Sequence, residues 1–281
     1  MIPTINPQLF QKALSSSEAF DRLVKIMDLL RDFCPWDRKQ SFDSLRYLTI
    51  EETYELSDAI LENDLMEIKK ELGDVLLHVV FYAKIGEEKN SFSITDVCNG
   101  ICEKLIRRHP HIFAEVKVQN EEEVKNNWES IKLLEKESDN EPKSVLGGVP
   151  KTLPAMVKAY RIQEKVRGVG FDWENSEQVW DKVQEEIQEF KDELNAITDT
   201  HNNKDKLESE FGDILFALIN YARFKNINPE DALERTNKKF IQRFKYLESQ
   251  TLAKGISLHD LNLEQMNVYW EEAKQIENKK I

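Results

Sequence analysis

Acidic residues recur in two matching pairs of motifs, and helical spacing would bring their carboxylates together. EETYE at 51–55 is followed by ELGD at 71–74, and EEIQE at 185–189 is followed by EFGD at 210–213. In a helix, the glutamates of each first motif fall within one third of the circumference, and the acids of each second motif lie about 60° apart. If the two helices packed antiparallel, both groups would face a common space. The acids are Glu51, Glu52, Glu55, Glu71 and Asp74, then Glu185, Glu186, Glu189, Glu210 and Asp213.

Such carboxylates repel one another, so without a counter-charge their pKa values would rise until some groups kept their protons. Two divalent cations would balance the charge of four carboxylates. A ligand set of oxygens, without His or Cys, favours Mg²⁺ over zinc, with Mn²⁺ as a substitute. Paired metals of this kind assist phosphoryl displacement. A single ELGD tetrapeptide is most often solvated surface, but the repetition of the whole arrangement favours metal binding.

Other segments recur in the same order, which indicates two homologous modules at about 20–136 and 155–278. Apolar residues in each module follow the i, i+3, i+4, i+7 period of a helix, and no convincing strand pattern is present. The sequence therefore predicts an all-α protein of two tandem helical-bundle modules, 1–137 and 155–281, joined by a linker at 138–154. The paired segments are 34–45 with 170–180, 71–84 with 210–223, 103–110 with 238–245, and 126–136 with 268–278.

Local signals refine this outline. The linker region contains three Pro and a Gly pair, and its apolar VLGGVP stretch could dock on a module. Asn228 is a predicted N-cap, with Pro229 at the first helical position. Gly73 and Gly212 each lie within a predicted helix, where Gly costs about 1 kcal/mol against Ala, so their repetition indicates close approach of another helix.

Composition excludes several classes of function. The chain has 281 residues, 40% of them hydrophobic, and a net charge of −13. The acidic excess argues against binding to a nucleic-acid polymer or an anionic membrane. Cys34, Cys98 and Cys102 do not form a disulfide framework, and we expect Cys98 and Cys102 to be buried thiols. The absence of a signal-peptide pattern and of a long apolar run predicts a cytoplasmic protein.

The ordered motifs resemble the MazG family of nucleoside triphosphate pyrophosphohydrolases over about residues 20–278. The resemblance implies a bundle of the all-α NTP pyrophosphohydrolase type that requires Mg²⁺ and usually works as a dimer. It also implies cleavage between the α and β phosphorus atoms of a nucleoside triphosphate, which yields a nucleoside monophosphate and pyrophosphate. The stretches that carry it are CPWD, EETYEL, ELGDVLLHVVFYA, RRHPHIF, GFDW and KVQEEIQEF.

The C-terminal module matches the family most fully. The resemblance places Glu186, Glu189, Glu210 and Asp213 at metal positions, and Glu185 or Glu189 would steer or deprotonate the attacking water. Lys182 and Lys206 each precede a metal-position acid by four residues, so each shares a helix face with it and could reach a phosphate. Further candidates are Asn237, Lys239 and Arg243 for phosphate and Trp270 for stacking on the base.

The N-terminal module repeats the metal positions but departs from the family at two substrate positions. Glu67 stands where the other module has Lys206, and Cys102 stands where it has Asn237. An acid in place of a phosphate-binding cation weakens the case for triphosphate binding, so we expect the C-terminal module to be the main catalyst. The matching residues are Glu52, Glu55, Glu71 and Asp74 for metal, and Lys104, Arg108 and Trp128 for substrate.

Two other classes of protein account for the sequence less well. A di-iron carboxylate protein would need Glu-x-x-His twice, and neither repeat supplies it. A helical scaffold would need no metal, and its melting temperature would not respond to Mg²⁺.

His78, four residues after Asp74, is expected to pack in the core, because Ala217 takes its place in the second module. Each module buries little alone, so the length and the repeats favour a homodimer.

Overall fold

The computed structural model describes residues 6–120, 123–124, 127–128, 131, 144–196 and 204–278. Throughout these ranges the regular elements are helices, with no strand, so the prediction of an all-α protein is confirmed. No helix in these ranges has the length and apolar character to cross a membrane. The chain divides into two compact units, Met1–Val124 and Lys125–Ile281. The exact domain limits stay a prediction, because residues 138–143 of the proposed linker lie outside the described ranges.

The helices follow one another with short connections. Short 3₁₀ helices lie at Pro7–Phe10, Asp37–Lys39, Val145–Gly148 and Leu258–Asp260. The described α-helices of the first unit are α1 (Ser16–Phe33), α2 (Phe42–Glu62), α3 (Leu65–Glu88), α4 (Ile94–Arg108) and α5 (Pro110–Phe113). Those of the second unit are α6 (Ala155–Arg167), α7 (Ser176–Asn195), α8 (Lys204–Phe224), α9 (Pro229–Ala253) and α10 (Leu263–Asn278).

In the first unit, α2 and α3 form a helical hairpin that positions the first pair of acid motifs. Helix α2 is capped at its C-terminal end by Asn63, whose φ of 55° lies in the left-handed region that Asn tolerates. Helix α3 begins at once, because the Asp64 side chain accepts hydrogen bonds from the amides of Met66 and Glu67. This two-residue turn reverses the chain, so the two helices pack side by side along their length.

The core of the first unit lies away from the acids, between α1, α2 and α3. Its centre is made of residues at most 3% exposed: Met27, Leu45, Val80, Phe81 and Ile85. The prediction that Cys98 and Cys102 are buried thiols is wrong, since both are exposed on α4. Helix α4 has no buried residue, so its apolar spacing did not indicate burial within this unit.

The second unit repeats the hairpin with α7 and α8, which pack extensively against each other. Helix α9 begins as predicted, with the Asn228 side chain accepting from the amides of Glu230 and Asp231 and with Pro229 at the first helical position. The 3₁₀ helix Val145–Gly148 packs on α6, as expected for the apolar VLGGVP stretch.

Helices α3 and α8 leave equivalent apolar positions exposed. Leu72, Leu76 and Val79 of α3 are between 40% and 52% exposed. Their counterparts on α8, Phe211, Leu215 and Leu218, are between 39% and 52% exposed. The spacing i, i+4, i+7 places each set on one face, so each unit carries an apolar stripe that the described residues of that unit do not cover.

The prediction of close helix approach at the two glycines is wrong for the described residues. A Cβ added at Gly73 or at Gly212 would meet nothing within 4 Å. The helix backbone at both positions therefore faces open space, and packing inside the unit does not require glycine there.

Candidate metal centres

In the C-terminal unit, the α7–α8 hairpin brings three predicted metal ligands together. Carboxylate oxygens of Glu186, Glu210 and Asp213 all lie within 4.8 Å of one another. Glu186 is only 7% exposed, and its neighbours are more accessible, so the group opens from the hairpin towards solvent. Glu189 lies one turn further along α7. Desolvation, with Glu186 and Glu210 also contributing, raises the pKa of Glu189 above its ordinary value.

Lys182 supplies the counter-charge of this cluster. Its Nζ lies 2.7 Å from Glu186 Oε1 and 2.8 Å from Glu185 Oε1. Hydrogen bonds to Glu185 and then to Glu186 raise the pKa of Lys182 above its ordinary value, so the ammonium stays charged at neutral pH. Lys182 is therefore placed where the sequence predicted it, on the face of the acids.

In the N-terminal unit, the α2–α3 hairpin forms the equivalent cluster. Carboxylate oxygens of Glu52, Glu55 and Glu71 lie within 4.8 Å of one another. Desolvation raises the pKa of Glu52, and the charge of Asp74 is the next cause, so Asp74 stands close enough to act on the group. Glu51 contributes less to the same shift.

Glu71 makes the strongest case for a cation in either unit. The residue is 3% exposed, and its Oε1 accepts a hydrogen bond of 2.7 Å from Lys70 Nζ. Its Oε2 is buried and has no partner among the described residues. A buried carboxylate oxygen without a partner is costly, and a hard divalent cation held by carboxylates would satisfy it. The donor sets of both units therefore fit such a cation.

His78 lies beside this N-terminal cluster but belongs to the packing. Its Nδ1 is 2.7 Å from Thr49 Oγ1, and Thr49 Oγ1 is also 2.6 Å from the Tyr82 hydroxyl. Burial lowers the pKa of His78, with Asp74 acting in the opposite direction. A buried, neutral and hydrogen-bonded imidazole agrees with the expected core role.

The other predicted substrate residues of the C-terminal unit have partners of their own. Lys206 Nζ lies 3.3 Å from Glu193 Oε1, between α8 and α7. Arg243 pairs with Glu277 at 2.6 Å, and its guanidinium carbon lies 5.7 Å from the centre of the Trp270 ring.

Asn237 donates to Glu234 at 3.2 Å, and Lys239 is exposed on the same helix, α9. The structure thus groups Arg243 with Trp270 between α9 and α10. It does not bring them into the cavity that borders the acids, as far as the described residues define that cavity.

In the N-terminal unit, Lys104 and Arg108 lie on α4, where both are half-buried. Trp128, which follows the boundary of that unit at Val124, is 37% exposed and lies within a stretch that is described only in part. None of the three is a member of the Glu52–Glu55–Glu71 group. Their predicted roles in substrate binding stay predictions.

A cavity of about 510 Å³ in the C-terminal unit borders the acids, and sequence reasoning missed most of its lining. Lys182, Glu186 and Asp213 form one part of its wall. Elsewhere Arg223 binds Asp172 through both terminal nitrogens, with Nη1 2.9 Å from Asp172 Oδ2. The GFDW motif at 170–173, which is among the stretches that carry the family resemblance, was a signal for Asp172. The remaining residues lie on α6 and α8 and in the loop before α7: Gln163, Phe171, Trp173, Phe216 and Asn220 among them.

Comparisons with known proteins agree with this arrangement. A family model described as MazG nucleotide pyrophosphohydrolase domain matches residues 40–113 and 174–247, one match in each unit. A nucleoside triphosphate pyrophosphohydrolase of Escherichia coli K12 is 42% identical over 261 residues, which cover 92% of this chain and 97% of that protein.

Two further relatives are covered to different extents. A protein of Thermotoga maritima named nucleoside triphosphate pyrophosphohydrolase/pyrophosphatase MazG is 43% identical over 91% of this chain and 95% of its own. The uncharacterized protein YabN of Bacillus subtilis is 50% identical over 88% of this chain, but only 49% of YabN is covered. The tandem arrangement is therefore shared along nearly the whole length of the first two relatives.

Proposed function

The chain belongs to the MazG nucleotide pyrophosphohydrolase family, and on that basis we propose that it hydrolyses nucleoside triphosphates between the α and β phosphates. The products are a nucleoside monophosphate and pyrophosphate, and the role of the reaction is clearance of nucleotides from the pool. The observation that carries the proposal is the convergence of Glu186, Glu210 and Asp213 at the rim of a nucleotide-sized cavity.

The family uses a divalent metal, and we propose Mg²⁺, with Mn²⁺ as a substitute. Glu186, Glu189, Glu210 and Asp213 would hold it in the C-terminal unit, and Glu52, Glu55, Glu71 and Asp74 in the N-terminal unit. When bound, the metal supplies positive charge against the carboxylates and the polyphosphate.

The side chains of the C-terminal unit have distinct tasks in this reaction. Glu189 takes a proton from the attacking water, since it lies on α7 one turn beyond Glu186, next to the acid cluster. Glu185 is held by Lys182 and helps to position that lysine. The Lys182 ammonium then turns to a phosphate oxygen as the bond from the α-phosphorus to the bridging oxygen breaks and pyrophosphate leaves.

Lys206, Asn237, Lys239 and Arg243 are proposed to bind the β and γ phosphates, and Trp270 to contact the nucleotide. Because these groups do not line the acid-bordered cavity within the described part of one unit, a second copy of the chain could supply them. The exposed stripes on α3 and α8 support a homodimer, since apolar stripes of this kind are normally covered. A cytoplasmic location completes the proposal.

The N-terminal unit is proposed to be the weaker site. Glu67 occupies the Lys206 position and is paired with Lys70 at 3.3 Å, so it offers no cation to a phosphate. The position of Lys182, four residues before Glu186, is taken by Leu48 in the N-terminal unit. The equivalent site thus keeps carboxylates for a cation but lacks two lysines for the substrate.

The proposal is tested by changing Glu210→Gln and measuring pyrophosphate release from each of the common ribo- and deoxyribonucleoside triphosphates with Mg²⁺. We expect kcat to fall by at least about 100-fold, because the cation is then poorly held. The matched control is Glu71→Gln, which should lower kcat less than about twofold. Near-normal turnover by the Glu210→Gln protein would contradict the assignment.

A further inference from the structure

One residue in the lining of the acid-bordered cavity, Gln163, carries a buried acceptor without a partner among the described residues. Gln163 on α6 is 4% exposed, and its Nε2 donates a hydrogen bond of 2.8 Å to the carbonyl oxygen of Phe216. That bond fixes the amide, so its Oε1 cannot exchange places with the donor. Oε1 is buried and accepts no hydrogen bond from any described residue. A buried acceptor left in this state usually has a role with a ligand.

The chemistry of the cavity wall distinguishes a phosphate end from a nucleoside end. Next to Glu186 and Asp213, the Lys182 ammonium can meet a phosphate. Elsewhere in the wall, Arg223 is 7% exposed and bound to Asp172 by two hydrogen bonds, so its charge is already neutralised. That part of the wall offers aromatic surface and amides instead of free cations, which suits a nucleobase and not a polyphosphate.

Asn220 adds a donor to this wall. Its Oδ1 accepts hydrogen bonds from Arg223 Nε at 3.0 Å and from Arg223 Nη2 at 2.8 Å. The amide orientation is thereby set, and Nδ2 donates to no described residue. Phe171, Trp173 and Phe216, which line the same cavity, are all more than 40% exposed and can provide flat apolar surface.

The N-terminal unit differs from the C-terminal unit at one of these wall positions. Aligning ELGDVLLHVVFYAK with EFGDILFALINYAR puts Phe81 at the position of Asn220. Phe81 is 3% exposed and packs in the core with Met27 and Val80. An aromatic side chain therefore fills the N-terminal unit at the point where the C-terminal unit has a polar wall.

We propose that this cavity of the C-terminal unit binds the nucleobase of the triphosphate. Gln163 Oε1 accepts a hydrogen bond from an N–H of the base, and Asn220 Nδ2 donates one to an acceptor atom of the base. This inference rests on the proposed function and adds to it the residues that bind the base. Both amides act in binding, so their loss changes KM and leaves the chemical step unaltered.

The test uses Gln163→Met, which keeps the side-chain length and removes the acceptor, and Asn220→Phe, which copies the N-terminal unit. Pyrophosphate release is measured for all common triphosphates with Mg²⁺, together with the Mg²⁺-dependent shift in melting temperature. For the best wild-type substrate we expect KM to rise at least fivefold in both variants, with kcat changed less than threefold. Gln275→Met, at an exposed position of α10, is the matched control and should leave both constants unchanged.

The outcomes separate this inference from the proposed function. If wild-type protein releases no pyrophosphate from any triphosphate, the proposed function fails, and the cavity is then probed by NMR titration with nucleoside monophosphates. Binding by wild-type protein that Gln163→Met weakens at least fivefold would still support the base site. If KM rises less than fivefold in either folded variant, the inference is overturned. If the Asn220→Phe protein does not fold, Asn220→Ala is used in its place.

Discussion

Lys182 gives the most quantitative test of the proposed metal site, because its ammonium group contacts Glu186, which the cation would also contact. Replacing it by Met removes two charged hydrogen bonds, 2.7 Å to Glu186 and 2.8 Å to Glu185. Hydrogen bonds to charged groups contribute about 1.5–3 kcal/mol when shielded, but the Lys182 side chain is 34% exposed, so solvent screening reduces this. We expect a loss of about 1.5 kcal/mol without metal, or about 3–6 °C in melting temperature.

The assay is thermal unfolding of wild-type and Lys182→Met protein, with EDTA and across a Mg²⁺ series. Mg²⁺ should reduce the difference in melting temperature between the two proteins to less than about 2 °C, because a cation bound at Glu186 replaces the missing ammonium charge. The cation also binds more tightly to the variant, since the competing lysine is absent. Lys274→Met is the matched control, since Lys274 pairs with Glu271 on an exposed helix face and its loss should cost little at any Mg²⁺ concentration. If the difference in melting temperature between wild-type and Lys182→Met protein were the same with and without Mg²⁺, the placement of the cation at Glu186 would be refuted.

Three further outcomes are expected. Gly212→Ala should raise the free energy of unfolding in urea by about 0.5–1 kcal/mol, because its Cβ meets nothing within 4 Å; a decrease would mean that another surface packs there. Glu189→Gln should lower kcat by about 100-fold or more and remove the acidic limb of the pH–rate profile, and an unchanged limb would assign the base to another group. Glu88→Gln should destabilise the protein at pH 7, since the hydrogen bond from Arg31 lowers the pKa of Glu88 below its ordinary 4.5. The stabilisation by Glu88 is fully present when the pH is above the ordinary pKa of a glutamate, and it is lost as the pH falls through the lowered pKa of the folded state. The free energies of unfolding of the two proteins in urea should therefore converge between about pH 5 and pH 3.

Local chemistry allowed the sequence to predict the helices and the acid clusters. Asn228 and Pro229 mark a helix start by hydrogen bonding and by a fixed φ, neither of which needs tertiary contacts. Glu186, Glu210 and Asp213 come together because helical spacing and a hairpin are enough to align them. Features determined within two neighbouring helices were therefore accessible from the sequence.

Features that depend on a third helix were not accessible. Gln163 carries no motif, and its role became visible only when α6 packed against α8 and bonded it to Phe216. Cys98 and Cys102 lie in an apolar helical pattern, yet both are exposed on α4. An apolar period shows which residues share a helix face, but it does not show whether another element covers that face. Gly212 repeats Gly73 without a close neighbour, so repetition alone did not report packing.

The proposed function requires that the C-terminal acid cluster directs water to the α-phosphorus of a nucleoside triphosphate. Hydrolysis in ¹⁸O-enriched water, followed by ³¹P NMR of the products, locates the attacked phosphorus directly. We expect the label to enter the nucleoside monophosphate, and we expect the reaction to be lost in Glu210→Gln and retained in Glu71→Gln. Label in pyrophosphate or in orthophosphate, or equal activity of the two variants, would contradict it.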